Sequence, residues 1–501
     1  METPLSRRQI LIAAIAVFVV AVALRMPSCY QSFWVDELHS AWVVWGDFDD
    51  VLGRAQRGHQ TPLYFWGLWV WKTMAGESEL ALRMSSVLAV ALGGTALVVG
   101  VGYWTRSVIA GLTAGLVVAV ESNGLFFGTE LRPYAGVIFF TCLVMPLFFR
   151  LIGISARQQR PVAWFALITT ITLAVLCQPT AAGVLVGIPI SLLAVWYRRN
   201  RKQLLRLSLL DCVLMWLGVA VGFWIWSLTL AESWQQRSSW ESFATAKRLA
   251  QLWRIWDWPW LLLFPFGLLA VSRWLARIRG LKNTPLGGQT VVIATIVVLA
   301  TAAYWAAARW QWVPLWHRRY FIAALPMLAC VVGGSLGAWI NALRPGWERS
   351  LGGPLAAIFL IIGLANHQGV LRRLPDYPVA LARRGENWRD AVGWVRRHAD
   401  RTEPVMLDSR LIEVAEMDDR YPVELPAEQL EYLLFPLSGP YQLDQAVHLG
   451  RWAALPGGSS PANASWILRH RLDPHRLPPN AELIQFGNVS VVRLGNDLER
   501  Q

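Results

Sequence analysis

The feature that most restricts this chain is a succession of apolar runs long enough to cross a membrane. A crossing helix needs about 17–25 mainly apolar residues. Such runs recur at 10–26, 80–104, 106–121, 133–152, 207–231, 258–275, 289–308, 319–341 and 353–370. The stretch 161–197 would form a single helix of about 55 Å, too long for one crossing. Cys177-Gln178-Pro179-Thr180 divides it into two, because proline disfavours helix at the residue before it. The expected fold is mainly α, a polytopic bundle of about eleven spans. Pro62 to Ala75 is apolar and rich in tryptophan, but its length of about 14 residues suits an interfacial or re-entrant segment.

Composition excludes the soluble alternatives. The chain is 55% hydrophobic and only 16% charged, with 29 Trp, unlike a soluble globular domain. A net charge of +13 would otherwise suggest nucleic acid. The basic residues instead fall in short loops between apolar runs: Arg106; Arg150, Arg157 and Arg160; Arg198, Arg199, Arg201, Lys202 and Arg206; Arg273, Arg277, Arg279 and Lys282; Arg344 and Arg349. This is the positive-inside pattern, and it argues against a nucleic-acid partner. At the N-terminus the run after Arg7-Arg8 continues to Leu24, and Met26-Pro27-Ser28-Cys29 makes a poor cleavage site, so an uncleaved first span is expected. The cysteines 29, 142, 177, 212 and 330 lack paired spacing and read as small buried hydrophobes, with no disulfide framework or metal site.

With the basic loops inside a cell (inner) membrane, the longer segments 27–79, 122–132, 232–257, 309–318 and the region from 371 lie on the extracytoplasmic side. Trp234, Trp240, Trp253, Trp256, Trp258 and Trp260 read mostly as an aromatic belt, or as the wall of a lipid or sugar groove. The expected division is a membrane domain over 1–370 and a small extracytoplasmic α/β domain over 371–501. In the latter, 386–398 is amphipathic, 404–408 reads as a strand, and 481–494 reads as two strands around Gly487-Asn488.

On the external side, loop one offers Asp36, Glu37, His39, His59 and Gln60; the next offers Glu121, Asn123, Glu130 and Arg132; the last offers His317, Arg318, Arg319 and Tyr320. A carboxylate can act as general base toward a hydroxyl, and arginine's planar fork suits phosphate. Together they suggest an alcohol attacking a phosphate-bearing donor held in the membrane. Each has a structural alternative. Asp36-Glu37 could cap a helix, Glu130 could sit at a helix start beside its positive end, Arg318-Arg319 could anchor a span to headgroups, and His59 and His317 could be surface residues.

The ordered set Trp34-Val35-Asp36-Glu37, Gln60-Thr61-Pro62-Leu63-Tyr64-Phe65, Glu79-Leu80-Ala81-Leu82-Arg83-Met84, Glu130-Leu131-Arg132-Pro133-Tyr134-Ala135 and Arg319-Tyr320, with Pro326 following, resembles the GT-C membrane glycosyltransferases. Within them it is most similar to the branch of the protein O-mannosyltransferases and the lipid A aminoarabinose transferase. The resemblance covers roughly residues 1–370. It implies transfer of a sugar from a polyprenyl-phosphate donor to an acceptor hydroxyl on a lipid, glycan or protein, with inversion. It also implies Asp36 as base or acceptor-orienting group and Arg132 as the donor-phosphate contact; beside them Glu37 is expected to orient Asp36 or hold the sugar, and Arg318 or Arg319 to help neutralise the leaving phosphate. His59, Gln60, Tyr64, Glu130, Tyr134 and Tyr320 would line the substrate site. Gln60 stands where relatives often have His or Lys. No cofactor is implied, and an obligatory metal is not expected, although some distant members use one. A transporter or flippase of a lipid-linked substrate is the rival class. Transporters place ionisable groups near the midplane of their spans, which here are nearly free of charge.

Overall fold

The computed structural model describes residues 5–58, 60–153, 160–199, 245–281, 285–313, 315–377, 381, 384–409, 427–450, 465–471, 477 and 481–494. They form two compact units.

The first unit comprises 1–28, 59–64 and 83–382. Seven described helices are long and apolar enough to cross a membrane: Arg7–Cys29, Glu79–Thr105, Tyr134–Ile152, Pro259–Ile278, Leu286–Arg309, Ala324–Ala342 and Trp347–His367. Three more of the expected spans are shorter apolar helices, Val108–Val120, Val162–Cys177 and Pro179–Val195. The expected span 207–231 lies outside the described residues, as do Trp234 and Trp240. The protein is thus a multi-pass membrane protein of mainly helical build. Its central helix is Ala324–Ala342, 89% buried, against 22% for Trp347–His367 at the periphery. Small residues explain the difference. Ala329, Gly333, Gly334, Ser335 and Gly337 let neighbouring helices approach closely, the usual basis of packing in a bilayer. Trp256 and Trp258 depart from the aromatic-belt expectation. Both are buried in the core, and Trp258 Nε1 donates to Leu252 O at 2.7 Å.

The break at Cys177 is present. Helix Arg160–Cys177 ends there and a 3₁₀ turn, Pro179–Ala181, follows. A helix end leaves carbonyls without intrahelical donors, which is costly away from water. Side chains supply the donors. Thr61 Oγ1 donates to the carbonyls of Leu176 and Cys177, and the Tyr304 hydroxyl donates to that of Thr180.

Arg25 answers the same need elsewhere. It is fully buried, and its guanidinium donates to Ala21 O (3.0 Å), Ala119 O (3.1 Å), Val118 O (3.0 Å) and Gly124 O (2.8 Å). It therefore caps the last carbonyls of Val108–Val120 and fixes the short helix Ser122–Phe127 that follows. Pro62–Ala75 is a helix of 14 residues, about 21 Å long and short of the ~30 Å hydrocarbon core.

The second unit comprises 29–58, 65–82 and 383–501. Residues 29–58 and 65–82, distant in sequence, thus pack with the C-terminal residues in one unit. Strands β1 (Val405–Asp408), β2 (Val447–Leu449), β3 (Trp466–His470), β4 (Ala481–Phe486) and β5 (Val489–Leu494) form one sheet in the order β2-β1-β3-β5-β4. β1 pairs parallel with β2 and β3, and β3-β5-β4 is antiparallel. The β4–β5 hairpin turns at Gly487-Asn488 as expected, with Gly487 at φ +65°. The expected amphipathic helix is Trp388–His398. It buries Trp388, Ala391, Val392 and Val395 and packs on β4 and β5. Helix Val35–Trp45 packs against helix Ala427–Ser438: the Tyr432 ring lies 5.1 Å from His39 and 5.0 Å from Trp42.

Candidate functional site

In the first unit, three sequence-distant motifs meet. Gln60, just before Pro62–Ala75, is half-buried. With its amide oxygen turned toward Arg132, an orientation assigned from the hydrogen-bond network, it accepts from Arg132 Nη1 at 2.8 Å and Nη2 at 3.0 Å. Its neighbour Thr61 is tied to the Cys177 break, and the turn Pro179–Ala181 packs against a second 3₁₀ turn, Arg318–Phe321. Arg319 is 9% exposed; its Nη2 donates to the Tyr320 hydroxyl at 3.1 Å, and its guanidinium lies 5.0 Å from the Tyr320 ring centre. Arg319, Arg132, Glu130 and Tyr320 all lie within electrostatic range of the buried Tyr134. The structure therefore brings Gln60, Glu130, Arg132, Tyr134, Arg319 and Tyr320 into one neighbourhood.

The backbone of 121–134 is held from several sides. Glu121 Oε2 accepts from Gly124 N at 2.8 Å as the cap of Ser122–Phe127. Its Oε1 accepts from Asn123 Nδ2 at 2.8 Å and Gln368 Nε2 at 3.2 Å. Ser86 Oγ donates to Glu130 O at 2.7 Å. Arg318 sits at the edge: it is exposed, and its Nη2 donates to Arg254 O at 3.0 Å. Tyr64 is half-buried in the first turn of Pro62–Ala75. His59 lies outside the described residues.

In the second unit, Asp36 and Glu37 occupy the first turn of Val35–Trp45. Carboxylates are favoured at this positive helix end, but the two differ. Asp36 is half-buried. Glu37 is fully buried, accepts from Trp34 N at 3.4 Å, and lies 3.3 Å from Arg384 Nε in an ion pair. On the other side of Asp36, Val35 N donates to Glu386 Oε2 at 3.0 Å. Glu386 is held in turn by Trp388 Nε1 at 2.8 Å and His470 Nε2 at 3.0 Å. Val35 and Glu37, the residues flanking Asp36, are thus both anchored to 384–386.

A further network fixes the approach to this helix. The Tyr441 hydroxyl accepts from Phe33 N at 2.7 Å and donates to Glu79, which also pairs with Arg389. Burial, with the Glu79 carboxylate next, pushes the Tyr441 phenol well above its usual range, so it stays a donor. These residues line a cavity of about 330 Å³.

Sequence reasoning missed Arg25, Arg384 and Glu386. Arg25 was detectable, as a lone charge inside an apolar run. The other two carry no local signal.

No family model and no curated protein matches the sequence. Among solved structures, ArnT from Cupriavidus metallidurans in the apo state is similar at TM-score 0.51 and 13% identity, over 96% of this chain and 96% of that chain. ArnT bound to undecaprenyl phosphate gives TM-score 0.50 at 13% identity, over 96% and 97%. This chain has the GT-C fold. The Archaeoglobus fulgidus oligosaccharyltransferase in the apo form gives TM-score 0.49 at 13% identity, over 94% of this chain and 70% of that chain. At such identities the likeness is one of fold, and the chemistry of this chain has to be argued from its own residues.

Proposed function

We propose that this protein is an integral-membrane glycosyltransferase. It moves a sugar from a polyprenyl-phosphate donor to an acceptor hydroxyl at the extracytoplasmic face, with inversion at the anomeric carbon. The observation that carries this reading is the neighbourhood of Arg132 and Arg319 around Tyr134, in a GT-C fold. Two arginines beside an apolar helix bundle suit a phosphate on a lipid tail. The binding of undecaprenyl phosphate by ArnT, a protein of similar fold, supports the same donor class.

In this mechanism Asp36 accepts the acceptor's proton as the acceptor oxygen attacks the anomeric carbon. The bond from that carbon to the donor's phosphate oxygen breaks, and its electron pair stays with the departing polyprenyl phosphate. Arg132 and Arg319 stabilise the charge that develops there. Gln60 accepts from both terminal nitrogens of Arg132 and fixes the direction of its fork, and Glu37 orients the turn that carries Asp36. Asp36 is assigned as base on the order Trp34-Val35-Asp36-Glu37 and on carboxylate chemistry.

The test is a single-turnover assay with purified protein and a labelled polyprenyl-phosphate sugar. Release of polyprenyl phosphate coupled to glycosylation of an acceptor is expected. Movement of intact lipid-linked sugar across a vesicle membrane, without cleavage, would replace this function with transport.

A further inference from the structure

A second cavity lies at the other end of the bundle. Helix Ala324–Ala342 runs about 28 Å from the neighbourhood of Arg319 to the cavity's edge at Ala342. The cavity measures about 500 Å³. Its polar lining includes Ser272, Arg273, Arg277 and Asn341, and Leu269 and Trp274 belong to its apolar wall.

Charge at this cavity is not balanced. Arg273 and Arg277 belong to the last turns of helix Phe264–Ile278 and are exposed. Among the described residues neither has a carboxylate partner. The carboxylate of Glu348 is engaged by Arg279 Nη2 at 3.2 Å and Arg344 N at 3.1 Å. Arg273 is also pressed against a positive helix end. A Cβ built on Gly287 would stand 3.1 Å from Arg273 Nη2 and 3.2 Å from its Nε. Gly287 is in the first turn of the 24-residue helix Leu286–Arg309, where Gly288 N and Gln289 N donate to Pro285 O at 3.1 Å and the amides of Leu286 and Gly287 precede the first helical hydrogen bond. A guanidinium held at a positive helix end is electrostatically unfavourable unless an anion joins them.

We infer that this cavity binds a phosphate-bearing anion, its phosphate held by Arg273, Arg277 and the start of Leu286–Arg309. Charged hydrogen bonds from both guanidinium groups fit phosphate oxygens. The exposed Trp274 and Ile278 beside them suit the apolar part of a phospholipid whose headgroup supplies that phosphate. Free phosphate would satisfy the same polar groups.

The experiment uses the full chain in phosphatidylcholine nanodiscs, with phosphatidylglycerol or inorganic phosphate as probes and native mass spectrometry as readout. Retention of one phosphatidylglycerol is expected, with about tenfold weaker binding in the double variant R273Q/R277Q, the loss of a charge-assisted contact or more. Phosphate binding without the lipid, lost in the same variant, would support the site and identify free phosphate as its source. Arg344→Gln is the control, since Arg344 is exposed at this end of the bundle but does not line the cavity. Equal binding by parent and double variant would overturn the inference. So would an equal loss in Arg344→Gln, which would reduce the effect to general attraction of a basic surface.

Discussion

At the residue scale the two neighbouring carboxylates separate by environment. Glu37 is sealed and paired with Arg384, whereas Asp36 keeps partial access. Asp36→Asn nearly preserves shape but cannot take a proton as a carboxylate does. It is expected to leave folding and donor binding near normal and to cut single-turnover transfer by about 10²–10⁴-fold. Parental transfer by Asp36→Asn would leave that residue as a helix-end carboxylate only. Glu37→Gln should cost less turnover. Arg384→Ala, by contrast, leaves Glu37 buried without this cation and should destabilise the fold by about 3–5 kcal/mol. Denaturant unfolding of the variant checks this. Arg132→Ala should lose donor affinity, and Arg132→Lys should restore it only in part, because an ammonium lacks the planar fork that Gln60 now meets with one oxygen. A donor titration with unchanged affinity for Arg132→Ala would remove Arg132 from the phosphate contact.

At the scale of elements, the β4–β5 hairpin reaches beyond its own sheet. Gly487 has φ +65°, and a Cβ there would stand 2.1 Å from Gly385 O. Asn488 N donates to the same carbonyl at 2.6 Å. The turn thus seats 385–386, and Glu386 holds the first amide of Val35–Trp45. Gly487→Ala must shift backbone and is expected to cost about 1–3 kcal/mol. A thermal melt of the full chain measures it, and an unchanged midpoint would show that 385–386 is held some other way. The hairpin itself was readable from alternation around Gly-Asn. Its seat was not, because a contact with Gly385 depends on a neighbour about a hundred residues away, on a scale no local pattern carries.

At the scale of the molecule, the basic loops predict the orientation. A periplasm-active reporter fused after Gln501 is expected to be active and a cytoplasm-active one silent. The reverse result would place the proposed site and the Arg273–Arg277 cavity on the opposite sides of the membrane from those proposed. The helical fold was largely legible from the sequence, since apolar length is set by bilayer thickness and recurs along the chain. So was the break at Cys177-Gln178-Pro179, because proline acts on its immediate neighbour. The identities of Asp36, Arg132 and Arg319 as candidate residues also came from short ordered motifs. Tertiary structure alone decided that Gln60 meets Arg132, that Arg319 and Arg132 share Tyr134, that Arg25 caps the carbonyls of Val118 and Ala119, and that Glu37 is sealed by Arg384. Spacing along the chain specifies which face or end of a helix a residue occupies. Which distant group satisfies it depends on how helices pack and which buried polar atoms must find partners.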